Sequence, residues 1–150
     1  MNSLENLKAK GQLHVVLTSA DGSVKEDHLI NNLVVDTGLN FIVSRMKDAT
    51  ASAMSHMSVG TGTTAAAAGD TTLETEIAGA RVALTSTTVS ASQVTYVASF
   101  GAGVGTGAIS ESGILNAASS GTLLCHTVFP VVNKQADDSM TITWTITVAS

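Results

Sequence analysis

Residues 140 to 148 read MTITWTITV, and no other stretch constrains the fold so tightly. Met140, Ile142, Trp144, Ile146 and Val148 fall on one side of an extended backbone, and Thr141, Thr143, Thr145 and Thr147 fall on the other. A period of two this regular specifies a strand with one face on a core, because a slip of one residue would bury every threonine. Threonine is β-branched and suits the half-exposed face of a pleat. Such a strand needs partners, and the sequence offers them. In 93–100, QVTYVASF, the set Val94, Tyr96, Ala98 and Phe100 alternates in the same manner. In 12–18, QLHVVLT, Leu13, Val15 and Leu17 do so.

Further extended segments are MSHMSVG, ARVALTSTT, GAISESGIL and TLLCHTVFP, and VKEDHLI reads as a more exposed strand. Between 12–18 and VKEDHLI, Ala20-Asp21-Gly22-Ser23 supplies a hairpin turn with an Asp-Gly signal. The other connections are 90–92, 101–105, 116–121 and 133–138, while 70–79 reads as one helical turn or an extended link. Short strands at near-regular spacing with turn chemistry between them indicate a sandwich or barrel.

One segment departs from this rule. In LNFIVSRMKD, residues Leu39, Ile42, Val43 and Met46 recur at i, i+3, i+4 and i+7, which predicts a helix over about 37–47. Asp36 or Thr37 is the expected N-cap, and Arg45 and Lys47 suit its C-terminal end. Such a helix would cover one open side of a sheet. Residues 1–10 carry Leu4 and Leu7 three apart, a spacing that fits one helical turn or an extended arm ended by Gly11, so the expected organisation is an N-terminal arm at 1–10 and a single domain at 11–150.

The 150 residues include only 13% charged and 3% aromatic ones, against an ordinary charged share of about 25%. A chain so poor in charge suits a surface covered by neighbours. The net charge of −5, with no Lys or Arg after Lys47 except Arg81 and Lys134, leaves no basic stripe for nucleic acid. The single Cys125 cannot make an internal disulfide, so no oxidising compartment is implied. The opening MNSLENLKAKGQ lacks the apolar centre of a signal peptide, and no apolar run approaches about 18 residues. A cytosol-like site of synthesis and no membrane partner are therefore expected.

VGTGTTAAAAGD, 59–70, follows a strand with two glycines, but Ala65 stands where a dinucleotide loop needs its third glycine, and no lysine is near. It reads as a surface loop able to lie flat against a neighbouring subunit. GAGVGTG, 101–107, reads as a long, mobile loop tip. His14, His28, His56 and His126 are too scattered for a metal motif, and Cys125 and His126 should point to opposite faces of a strand. Glu74 and Glu76 would share a face and repel, Asp137-Asp138 reads as an ordinary solvated turn, and Glu111 stands apart. No catalytic, cofactor-binding or metal site emerges, and no enzymatic activity or cofactor is expected.

The segments NNLVVDTGLNFIVSRM, MSVGTGTTAAAAGDTTLETEI, ESGILNAASSGTLLCHTVFPVVNK and DSMTITWTITV span most of residues 31–148. In this order they resemble the small structural proteins of tailed bacteriophages, including head decoration (cement) proteins and related tail modules. The resemblance implies a mainly β fold: a jelly-roll-like antiparallel β-sandwich with one short helix and an N-terminal arm. It also implies a virion location on the head surface, synthesis in the host cytoplasm, and no enzymatic role. The partner would be the major capsid protein, whose neighbouring subunits it would bridge, together with copies of itself as a dimer first and a trimer second. The expected capsid-contact residues are Leu4, Leu7, Lys8 and Lys10, two apolar anchors beside positive charge in an acidic chain. The alternatives are a tail fibre, collar or baseplate module, and a lectin-like glycan-binding module, against which the scarcity of aromatics counts.

Overall fold

The computed structural model describes residues 8–47 and 51–149. In chain order it contains β1 (Lys8–Thr18), β2 (Val24–Val34), α1 (Asp36–Ser44), β3 (His56–Gly60), β4 (Val82–Ala83), β5 (Ser86–Ser90), β6 (Gln93–Phe100), β7 (Gly107–Leu115), β8 (Leu123–Lys134) and β9 (Ser139–Ala149). The strands form one sheet in the order β4-β3-β7-β8-β2-β1-β9-β6-β5, and every pairing is antiparallel. The fold is mainly β with one short helix, as the alternating segments predict.

The chain itself forces the sheet to curl. β4 and β5 lie at opposite ends of the strand order, yet only Leu84 and Thr85 separate them in sequence. The Leu84 amide donates to Ser55 O at 2.9 Å and the Thr85 amide to Val97 O at 2.7 Å, so this link touches both ends of the sheet. β2 carries the turn at the far side. Its residues up to Asn32 pair with β1, whereas Leu33 and Val34 pair with His126 and Cys125 of β8.

Inside the curl lies the main core. Leu13, Val15 and Leu17 of β1 meet Met140, Ile142, Trp144 and Ile146 of β9, with Tyr96, Ala98 and Phe100 of β6. Register follows the pattern read from sequence: Leu13 pairs with Trp144, which pairs with Tyr96 on its other side. The threonines of β9 stay at least partly accessible. A second cluster, Val35, Leu73, Leu115 and Leu123, lies beneath the 61–76 loop, so β7 is buried on both faces.

Helix α1 forms within the expected stretch but ends at Ser44 rather than at 47, and it is turned about its axis. Ile42 and Phe41 pack against the core, whereas Leu39, Val43 and Met46 are 41%, 63% and 83% exposed. The cause is Gly38, whose missing side chain lets the first turn lie against β8: a Cβ there would stand 1.9 Å from Leu124 O. The expected N-cap is also corrected. Val35 occupies that position without a side-chain cap, and the Thr37 hydroxyl donates instead to Leu123 O at 2.7 Å.

Gly11, read as the end of an arm, lies within β1. It faces Asn32 across the ladder, and a Cβ at Gly11 would fall 1.5 Å from Asn32 Oδ1. Lys8 and Lys10 therefore belong to the strand, paired with Ala149 and Thr147. The stretch 70–79 forms no helical turn; it is an extended connection with a single bridge between Gly60 and Glu76.

Candidate functional site

Glu111 is the polar centre of the molecule. It sits in β7, is fully buried, and its carboxylate accepts bonds from three backbone amides and one imidazole. The Gly62 and Thr75 amides donate to Oε2 at 2.8 and 2.7 Å. The Glu74 amide and His126 Nε2 meet Oε1, each at 2.8 Å. A buried carboxylate is costly unless its lone pairs are filled, and here both ends of the 61–75 loop fill them. Gly62 can approach only because it lacks a side chain, since a Cβ would lie 2.4 Å from Glu111 Oε2.

His126 continues the chain of contacts. Its Nδ1 lies 2.8 Å from Asp70 Oδ2, which also accepts the Ala67 amide at 2.9 Å. An Asp70–His126–Glu111 line thus runs from the tip of the loop into the sheet. Burial pushes the Glu111 carboxyl up, but the amides of Thr75 and Glu74, the His126 ring and the Gly62 amide outweigh it and hold it below its ordinary value. Asp70 is likewise raised by burial and lowered further by Ala67 and His126, with a net downward shift. The Ala68 carbonyl, in the same loop, accepts the Asp36 amide at 2.8 Å and so holds the first turn of α1.

Around this line the hydroxyls are also committed. Ser110 Oγ donates to Gly62 O at 2.7 Å, Ser112 Oγ to Ser58 O at 2.9 Å, and Ser58 Oγ to Glu76. Glu76 in turn accepts Arg81 as a fork, Nε and Nη2 each at 2.8 Å, and Arg81 reaches on to Ser120 O. Glu74 and Glu76 therefore do not confront each other: Glu74 accepts the Thr64 amide while Glu76 pairs with Arg81. Both ring nitrogens of His126 are engaged and leave none free to activate a serine. The arrangement acts as a clamp that fastens a loop to the sheet. Among the described residues no group of three or more His, Cys, Asp or Glu is placed to hold a metal ion.

No protein-family model, curated protein or solved structure matches this chain.

The inner side of the loop at 61–70 lies against its own sheet, and the alanines of 65–68 turn outward as small, largely exposed residues. Cys125 faces the main core while His126 faces the loop, as alternation requires. Burial pushes the Cys125 thiol well up, which suits an inert packing role. Asp138 departs from the expected solvated turn. It is buried, accepts Lys25 Nζ and the Gln135 amide at 2.8 Å each, and is lowered chiefly by Lys25. The 101–107 loop is tied down by Lys134, whose buried ammonium donates to Gly101 O at 2.8 Å.

Of the expected capsid-contact residues, Leu4 and Leu7 lie outside the described residues. Lys8 and Lys10 are exposed on β1 and line a groove of about 590 Å³ with Asn31, Leu33 and Leu39. That groove joins the two lysines to the outward stripe of α1. The stripe was visible in the sequence as apolar periodicity, but its direction was not, because it depends on Gly38 meeting a strand 86 residues away (124 − 38).

Proposed function

We propose that this chain is a non-enzymatic decoration (cement) protein that binds the outside of a tailed-phage head and bridges major capsid subunits. The observation that carries the reading is the set of exposed apolar residues Leu39 and Val43 on α1 and Met46 in the turn just after it, continuous through Leu39 with the groove lined by Lys8 and Lys10. Isolated exposed apolar residues are ordinary, whereas three so close together beside a groove form a patch suited to a protein partner. The two lysines give this patch a positive rim in an acidic molecule, which favours a partner surface with carboxylates.

In this reading the curled sheet works as a jelly-roll-like sandwich whose layers meet over Trp144, a stiff body that carries load between shell subunits. The clamp at Glu111 keeps the loop, and through Ala68 the start of α1, fixed relative to that body. Each contact is modest, and repetition over a symmetric lattice multiplies the avidity. Copies of the chain would meet as dimers first and trimers second. Four of the five aromatic residues, Tyr96, Phe100, Phe129 and Trp144, are buried, which leaves a glycan little to stack on and weakens the lectin alternative.

The test is co-sedimentation with purified heads that lack the chain. Wild-type protein should load to saturation, and Val43→Asp or Met46→Asp should load at least tenfold less at the same concentration. Equal loading of both variants, or no loading of the wild type, contradicts the reading.

A further inference from the structure

The inner side of α1 closes a second cavity, separate from the groove. Its volume is about 350 Å³, and it lies between the helix and strands β5, β6 and β9. Ile42, Met54, Val94, Leu124, Ile146 and Val148 supply apolar walls. Two polar groups interrupt them. Tyr96 is 8% exposed and lines the cavity, and its hydroxyl, bonded to no other group among the described residues, is still reached by solvent there. Arg45, at the C-terminal end of α1, is exposed and lines the same cavity. Its guanidinium lies 5.7 Å over the Phe41 ring and donates to Ala51 O at 3.0 Å, and among the described residues it meets no carboxylate.

Small-molecule sites combine apolar walls with a few convergent polar groups in volumes of about 300–1,000 Å³. A phenol hydroxyl on the wall of a cavity, bonded to no other group of the chain, is a donor and acceptor open to a ligand. A guanidinium on an aromatic face without a carboxylate is an open anion site. From these we infer that the cavity binds an aliphatic carboxylate of medium chain length. Its hydrocarbon lies among Ile42, Met54, Val94 and Ile146, its carboxylate meets Arg45 at the solvent side, and the Tyr96 hydroxyl supplies the second polar contact. Burial pushes the Tyr96 phenol up to about 12, so it stays a hydrogen-bond donor at neutral pH. The site does not depend on the decoration reading, because it uses the opposite side of α1.

The experiment is a titration of the full chain with sodium decanoate below its micellar concentration, followed by amide shifts in two-dimensional NMR. The expected result is a saturable response at Met54, Val94, Tyr96 and Ile146, with no response at Ala67 or Gly103. Arg45→Gln should weaken binding about tenfold, the worth of a charge-assisted contact, and Tyr96→Phe several-fold, in proteins whose spectra remain folded. 1-Decanol, with the same chain and no charge, should bind more weakly than decanoate. No saturable response, wild-type affinity in either variant, or decanol binding as tightly as decanoate overturns the inference.

Discussion

The 61–75 loop and helix α1 lie side by side and are joined by the hydrogen bond from the Asp36 amide to Ala68 O, yet they are held in opposite ways. The loop buries one large apolar side chain, Leu73, and otherwise depends on a carboxylate, an imidazole and a set of backbone amides. The helix is rich in apolar residues and turns Leu39 and Val43 outward, with Met46 exposed in the turn that follows it. The polar side chains are thus spent inside, on fixing a loop, while apolar ones are left outside. An inside fixed by polar contacts specifies one geometry for the loop, and in the proposed reading the exposed apolar residues are what a partner meets.

That contrast is broken most severely at Glu111. Glu111→Ala strands the Gly62, Glu74 and Thr75 amides and the His126 ring, and should cost about 3–5 kcal/mol in urea unfolding, the usual cost of removing one member of a buried charged network. The amides of 61–75 should lose hydrogen-exchange protection first. A loss below about 1 kcal/mol would show that Leu73 and the remaining loop hydrogen bonds hold the loop without the carboxylate.

Gly38→Ala ranks second. Its Cβ meets the Leu124 carbonyl, so the helix must lift from β8, at a cost of about 1–3 kcal/mol by thermal melting. A neutral result would mean that α1 tolerates a new position, and the outward stripe would not be fixed.

Acid tests the clamp in the unmodified chain. The folded-state carboxyls of Glu111 and Asp70 lie below their ordinary values, so the unfolded chain binds protons more readily. The stability they contribute is fully present above the unfolded range of about pH 4 and is lost as pH falls through the folded values. Wild-type stability should therefore decline below about pH 4, and Glu111→Gln, which lacks one of these groups, should show a shallower decline. Parallel declines in the two proteins would remove the clamp from the account of acid sensitivity.

Val43→Asp has the smallest expected effect on folding, within about 0.5 kcal/mol, because its side chain is already 63% exposed. It isolates binding from stability, and a large loss in its melting temperature would mean that this face is part of the core.

The legible parts of the fold were those where local pattern and tertiary environment agree. The alternation in 140–148 fixed its own register, β6 falls on the segment its periodicity marks, and β7 on a segment expected to be extended. The existence of α1 was legible for the same reason. Its rotation was not, because apolar spacing says which residues share a face and not which face meets a sheet. The clamp was hidden for a different reason. Asp70, Glu111 and His126 are separated by 56 and 15 residues along the chain, and no spacing rule links three such residues across a loop and two strands. The glycines at 60 and 62, read as part of a surface loop facing a neighbouring subunit, instead let the chain approach a carboxylate of its own sheet. Asp138 was missed similarly, since its partner Lys25 is 113 residues away.

The central claim is that this chain coats a head, and the most direct measurement is the number of copies in each purified particle that carries it, by quantitative mass spectrometry against the major capsid protein. The account predicts hundreds of copies in fixed ratio to the shell subunit. A dozen or fewer per particle would place the chain in the tail, and its absence from particles would contradict the claim outright.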